Sequence, residues 1–364
     1  MKPNQSALLS MLLYLSPIGI AAADEQHPSP AIDAAGRKEV LATLATQLHA
    51  NYIFPDVANS LAAALAGKQA HGDYAAANTA DAFADALSKD MRAIGTDDHF
   101  QVFVDPDFKP RPANAIPSAE ELAKDRQEMA TYGFGIQKVE RLRGNVGYLE
   151  IRGFGPTAMV GPAYSAAMSL LSGTDALILD LRRNGGGEPD SVAYLLSHFF
   201  PEGDERHLND LYHRADNSTR QYWTDPSVGP RYNKPVYVLT SARTFSGGEE
   251  CAYDFQTQKR ATLVGETTGG GSNPGDVFAI SHGLVAFIPT GRAINPVTHG
   301  NWEHVGVKPD VAVPAAQAQQ TAYLAILRQL VTTTTDPDIK QDLQDVLAKA
   351  EKGQPDPPNY SPQH

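Results

Sequence analysis

The chain of 364 residues holds a single cysteine, Cys251. No intramolecular disulfide is possible, so the fold must rest on an apolar core. There is no excess of basic charge: 30 Lys and Arg stand against 42 Asp and Glu, a formal net charge of −12 at pH 7. That balance favours solubility and argues against nucleic acid as a main partner. The 11 His are scattered, with no His-Glu-x-x-His and no paired Cys, so the usual zinc-ligand patterns are missing. Gly185 to Gly187 are not followed by the Lys-Ser/Thr of a phosphate loop, and no dinucleotide fingerprint occurs. No cofactor is expected. The apolar run from Ala7 to Ile20 contains Pro17 and is too short for a strong membrane span. No internal repeat is found.

That apolar run follows Lys2 and leads into Ala21-Ala22-Ala23 before Asp24. These are the three parts of a secretory signal. The expectation is cleavage after Ala23 and an exported protein, periplasmic or extracellular, with no membrane attachment once the leader is removed. Loss of Lys2 would take the net charge to −13. Cys251 is read as a small buried hydrophobe and not as a nucleophile.

Residues 24–100 read as a helical domain after a short mobile start. Leu41, Leu44 and Leu48, then Leu61 and Leu65, then Phe83, Leu87 and Met91 recur at helical spacing. Tyr52-Ile-Phe-Pro-Asp56 separates the first two helices. Residues 101–131 form a linker, since Phe103 to Arg126 holds four prolines, with a short helix from about Ser118. Residues 132–313 alternate strand and helix patterns. The strands expected are Gly135–Val139, Val146–Ile151, Ala176–Leu181, Val236–Leu239, Ala261–Val264 and Leu284–Pro289, and Val192, Leu195, Leu196 and Phe199 mark a helix. This points to an α/β core with a largely parallel sheet. Residues 314–352 read as C-terminal helices split near Asp336-Pro337, and 353–364 as a disordered Pro-rich tail.

Four segments carry chemistry. In Val236-Tyr-Val-Leu-Thr-Ser-Ala-Arg-Thr-Phe-Ser-Gly-Gly-Glu-Glu250 a strand turns into a helix at Ser246. A serine there sits where unpaired N–H groups and the positive end of the helix dipole favour developing negative charge, although Ser is also an ordinary helix cap. Leu179-Asp-Leu-Arg-Arg-Asn-Gly-Gly-Gly187 ends a buried-type strand in three glycines, which either aim N–H groups at a ligand or simply turn the chain. Gly95-Thr-Asp-Asp-His99 offers a candidate base, though a lone His is usually structural. Asn301-Trp-Glu-His304 offers Glu303 to orient a His, or else a solvated loop carboxylate.

Together and in this order these segments resemble the tail-specific, or C-terminal processing, serine peptidase family. The closer likeness is to the branch of the interphotoreceptor retinoid-binding protein and the catalytic core of tricorn protease. Other supporting stretches are Tyr132 to Leu149 and Gly265-Glu-Thr-Thr-Gly-Gly270. The resemblance implies a ClpP/crotonase-like α/β core, with Ser246 as nucleophile, His99 as base, Glu303 as polarising acid, and Gly247 and Gly186 as oxyanion donors. It also implies a peptide or protein substrate. Asp98 stands where tricorn protease has a small hydroxyl residue.

The processing proteases pair their serine with a lysine in the glycine turn after the next strand. Here that turn is Gly269-Gly-Gly-Ser272, with no lysine. Lys259, thirteen residues along one helix, would lie ~20 Å from Ser246. A Ser-His-Glu arrangement is therefore expected, with Lys308 reaching the site only if its loop folds back. Only 45 residues separate His99 from Asn145, too few for the PDZ module those proteases insert there. The alternative reading is a non-proteolytic binder of a retinoid or other apolar ligand; hydrolysis of esters would use the same groups.

Overall fold

A computed structural model describes residues 29–110 and 117–353 of the protein. The expected leader over residues 1–23 and the tail from residue 354 lie outside the described residues. The chain begins with α1 (Ala34–Asn51), α2 (Pro55–His71), α3 (Ala80–Gly95), β1 (Gln101–Val104) and α4 (Ala119–Thr131). Then come β2 (Ile136–Leu142), β3 (Val146–Ile151), α5 (Thr157–Leu171), β4 (Ala176–Asp180), α6 (Pro189–Ser197), β5 (His207–His213), β6 (Ser218–Trp223), β7 (Val236–Thr240) and α7 (Gly247–Thr257). The last part holds β8 (Thr262–Gly265), β9 (Gly275–Ala279), β10 (Leu284–Pro289), β11 (Gly291–Ile294), β12 (Val311–Ala312), α8 (Ala315–Thr333) and α9 (Pro337–Glu351).

The central sheet runs β12-β8-β7-β4-β3-β2 and is parallel except for the β2–β3 pair at one edge. Its middle strands are apolar because helices cover both faces. Leu177, Leu179, Val236 and Val238 meet residues of α5, α6 and α7 on one side. Ala176, Ile178, Leu239 and Val264 meet α8 and α9 on the other. Cys251 lies wholly buried in the first of these layers, and burial pushes its thiol well up, so it is an inert core residue.

The first three helices start and stop where their sequence tells them to. Asp33 Oδ1 accepts the Gly36 N–H at 2.8 Å, Thr79 Oγ1 accepts the Ala82 N–H, and Gly72 closes α2 at φ 84°. Their apolar faces bury Leu44, Leu48, Leu61, Phe83, Leu87 and Met91 against β1 and β10. Here the structure departs from the sequence reading. Residues 101–104, taken as the start of a linker, are a strand. Leu284–Pro289 is not in the parallel sheet but pairs antiparallel between β1 and β9. Four residues with only Val102 buried give no legible alternation, and Ser88 Oγ anchors β1 by bonding both the N–H and the C=O of Val102. A third sheet, β11-β5-β6, is also antiparallel.

Candidate active site

β4, β7 and β8 are parallel neighbours, so the loops that leave their carboxyl ends emerge side by side, the usual place for a site in such a sheet. The loop after β4 holds Asn184 to Gly187, the loop after β7 holds Ser246, and the loop after β8 holds Gly269 to Ser272. Backbone bonds lace them together: Phe245 N–H donates to Asn184 O at 3.0 Å, and Gly269 N–H to Thr244 O at 3.0 Å.

Ser246 caps α7 with φ 52° and ψ −123°, a conformation that side chains rarely adopt. It is held there by Glu249, one turn along. The fully buried Glu249 carboxylate accepts the Ser246 N–H (2.9 Å), the Gly270 N–H (2.6 Å), the Gly271 N–H (2.9 Å) and the Thr268 hydroxyl (2.5 Å). One side chain thus ties the head of α7 to the glycine loop after β8. The sequence reading missed it; an acid three residues after a serine cap was the available signal.

Gly186 sits against Ser246: a Cβ on it would lie 2.7 Å from Ser246 Cβ, and its φ is +106°. Its N–H, however, donates to Asn184 Oδ1 at 2.8 Å. That corrects the expectation that Gly186 supplies an oxyanion donor, because the group is already spent. Among the described residues the N–H groups of Gly187 and Gly247 have no partner, and a Cβ on Gly247 would lie 3.1 Å from Gly187 N. Asn184, wholly buried, builds this turn through its Oδ1 and through Nδ2, which donates to Ile151 O at 3.1 Å.

His99 arrives from the other side, on the turn between α3 and β1. Its ring is buried and packs on Phe245, centroids 4.6 Å apart, with Phe287 beyond at 6.1 Å. The acid beside it is Asp97, not Asp98, which points to solvent. Asp97 Oδ1 accepts the His99 backbone N–H at 3.0 Å and lies 3.6 Å from Nδ1, while Asn273 Nδ2 and the Tyr52 hydroxyl donate to Oδ2. Burial would lower the His99 pKa, but the Asp97 carboxylate, with Glu303 and Glu249 farther off, reverses this and holds it above the ordinary histidine value. Burial pulls Asp97 the other way, yet His99 and the Asn273 amide keep it below the usual carboxylate range. A carboxylate two residues before a histidine, bonding that histidine's own N–H, is an Asx-type turn and was the overlooked sequence signal.

Glu303 comes from the loop between β11 and β12, which is pinned by the His304 N–H to Gly270 O and by Trp302 Nε1 to Gly271 O, 2.8 and 2.7 Å. Its Oε2 accepts the Ser272 N–H at 2.5 Å. Burial and the Asp97 charge push its carboxyl up, against the Ser272 N–H and His99. Glu303 is close enough for His99 to feel its charge, but no ion pair joins them among the described residues. No hydrogen bond joins His99 to Ser246 either; both imidazole nitrogens and Glu303 Oε1 are buried without a hydrogen-bond partner, although Nδ1 faces Asp97 at 3.6 Å and Oε1 faces His304 Nδ1 at 3.7 Å.

A cavity of about 230 Å³ opens at Ser246, lined by Gly187, Gly247, Glu250, Asp276 and Trp302 among others. Neither Lys259 nor Lys308 lines it. An open groove of about 580 Å³ runs along α3 and β1 between Asp85, Lys89, Arg92 and Asp98, and Ser246, His99 and Glu303 do not line it. Among the described residues no group of three or more His, Cys, Asp or Glu side chains is placed to hold a metal ion, and no helix is long and apolar enough to cross a membrane.

Residues 145–313 match the family model described as Peptidase family S41, and residues 34–133 match that of the N-terminal domain of Peptidase_S41 in eukaryotic IRBP. The carboxyl-terminal-processing peptidase 2, chloroplastic, of Arabidopsis thaliana is 29% identical over 177 residues, 46% of this chain and 32% of that protein. The chain spans about a third of the length of the curated relatives it matches. A putative peptidase from Parabacteroides merdae superposes with a TM-score of 0.52 at 19% identity, covering 76% of this chain and 90% of that one. Tricorn protease superposes with a TM-score of 0.50 at 12% identity, covering 87% of this chain and 37% of that one. At these identities the superpositions speak to the fold alone.

Proposed function

The chain belongs to peptidase family S41, and from that premise we propose that it is a serine peptidase, hydrolysing peptide bonds of peptides or unfolded proteins through an acyl-enzyme. The observation that carries this reading is the junction of Ser246 with two unpaired N–H groups, Gly187 and Gly247, at the head of α7 and the mouth of a cavity. Ser246 Oγ attacks the carbonyl as His99 takes its proton. The oxyanion rests between the two glycine N–H groups, each worth ~3 kcal/mol of barrier. His99 then protonates the leaving amine, and water, activated by the same imidazole, releases the acyl group. Asp97 orients the imidazole and Glu303 adds to the field that stabilises its charged form.

His99 rests against Phe245 without a hydrogen bond to Ser246. Catalytic hydrogen bonds are often long or absent without substrate, so the ligand-free arrangement is compatible with this role. The described residues between His99 and Asn145 include β1, α4 and β2, and selection of substrate is assigned to the cavity at Ser246. That cavity is small and carries Glu250, Asp276 and Arg220, a poor match to a retinoid.

The test is labelling by a fluorophosphonate probe, read by intact mass. Labelling of wild type, lost in both Ser246→Ala and His99→Ala, is the expected result. Labelling that persists in Ser246→Ala, or none in the folded wild type, overturns the reading. Export follows from the leader-like residues 1–23: an exported chain beginning at Asp24 is expected, and one beginning at Met1 overturns it.

A further inference from the structure

The cavity at Ser246 carries more carboxylates than acyl transfer needs. Glu250 lies on α7, one turn beyond Ser246, and lines the cavity although it is only 4% exposed. Asp276 on β9 lines it as well and is exposed to solvent. Glu188 is 2% exposed, sits between the lining residues Gly187 and Pro189, and has no hydrogen-bond partner for either carboxylate oxygen. The nearby cation, Arg220, is already occupied: its Nη2 holds both oxygens of Asp190, at 2.8 and 2.7 Å. Among the described residues no Lys, Arg or His stands within ion-pair distance of Glu188, Glu250 or Asp276.

Burial, with Asp190 adding to it, pushes the Glu250 carboxyl up to about 7 against the pull of the Asn209 amide. Burial and the same neighbour push Glu188 up to about 8. Carboxyls held in this way are short of positive charge. A bare cation gains nothing by leaving water unless carboxylates meet it, and here Glu250 and Asp276 line the cavity with no cation paired to either, Asp276 accepting only the Thr290 hydroxyl at 2.9 Å.

We propose that this cavity receives a cationic side chain of the substrate, a lysine or arginine next to the scissile bond, with Glu250 as its principal partner and Asp276 as a second. The proposal rests on the peptidase reading for its position in the substrate, but its binding chemistry can be tested without catalysis.

Two fluorescein-labelled peptides differing only in lysine or norleucine at one position are titrated into full-length Ser246→Ala protein by anisotropy. Norleucine keeps the stem and drops the ammonium. The lysine peptide is expected to bind about tenfold tighter, a difference of ~1.4 kcal/mol. Glu250→Gln in the same background should bring the two affinities together, and Asp276→Asn, on an exposed position that keeps the fold, should narrow the gap two- to threefold. Quenched versions of both peptides are then given to the protein with Ser246 intact. A lysine preference in binding that Glu250→Gln removes, with no cleavage of either peptide, upholds the pocket and sinks the peptidase reading. Cleavage of both peptides at equal kcat/KM, or equal binding, overturns the pocket. Tighter binding of a glutamate peptide than of the lysine peptide overturns it in favour of Arg220 as the recognition group.

Discussion

The imidazole of His99 lies against the ring of Phe245, centroids 4.6 Å apart and planes inclined by 42°, and Phe245 is the residue immediately before Ser246. The backbone strain at Ser246 and the resting place of the His99 ring are therefore set by one turn. Gly271 completes that contact from the loop after β8. A Cβ on Gly271 would lie 2.7 Å from His99 Cε1 and would strike the Phe245 ring too. Gly271→Ala should displace both rings, slow fluorophosphonate labelling about tenfold or more, and cost ~1–3 kcal/mol of stability as an overpacked contact. Unchanged labelling kinetics with unchanged unfolding would show that the two rings do not restrain each other.

Asp97 should set the acid limb of activity. A neutral imidazole is needed to accept the serine proton, and Asp97 raises the His99 pKa, so the limb of kcat/KM belongs above the ordinary histidine value of about 6.5. Asp97→Asn should move the limb to lower pH and reduce the plateau ~10²–10⁴-fold, since the ring loses its orienting acid. Stability carries a matching signature. The raised His99 stabilises the fold below about pH 6.5 and loses this as pH rises through its folded pKa. The lowered Asp97 stabilises it above about pH 4 and loses this as pH falls through its own. The penalty of Asp97→Asn in thermal melts should thus be greatest between roughly pH 4 and 6.5. A penalty independent of pH would mean that the pair is not ionic in the fold.

Asn184 holds the donor turn. Its removal leaves the buried Gly186 N–H and Ile151 C=O without partners. Asn184→Ala should cost ~2–4 kcal/mol in denaturant unfolding. It should also slow labelling of Ser246 more than a matched loss of stability elsewhere, because Gly187 leans on the same turn. Native stability together with native labelling would remove Asn184 from the site.

Glu188 should make the protein less stable at alkaline pH. Its folded pKa, about 8, lies well above the ordinary carboxylate value. The folded state therefore keeps a proton that the unfolded chain releases, and stability falls as pH rises from about 4.5 to 8. Glu188→Gln should be nearly neutral at pH 5 and stabilising by ~2–4 kcal/mol at pH 9. Equal effects at both values would show that Glu188 is solvated or paired.

Much of this was legible along the chain. β3, β4 and β7 read as strands because burial on both faces makes them continuous apolar runs. The heptad-like leucines of α1 and the Phe83, Leu87, Met91 stripe of α3 mark helices for the same kind of reason, since spacing reports the buried face. β5, β6, β9 and β11 escaped notice because they belong to small sheets half open to water. Their sequences, such as His-Leu-Asn-Asp-Leu-Tyr-His213, mix polar and apolar residues without a clean period.

The sequence by itself determined the kind of chemistry at hand: a serine at a strand-to-helix turn, a glycine turn, a histidine and a tryptophan-acid loop, on an α/β frame without lysine where the processing proteases carry it. Only the tertiary structure decided between neighbours one residue apart. Asp97 and Asp98 are the same side chain in sequence, and one faces His99 while the other faces water. Gly186 and Gly187 are the same residue, and one has given its N–H to Asn184 while the other keeps it free. The reason is physical: residue types declare which groups exist, but which way an N–H or a carboxylate points depends on side chains that close a turn and bind a segment distant in sequence, here Asn184 on Ile151, Glu249 on Gly270 and Asn273 on Asp97.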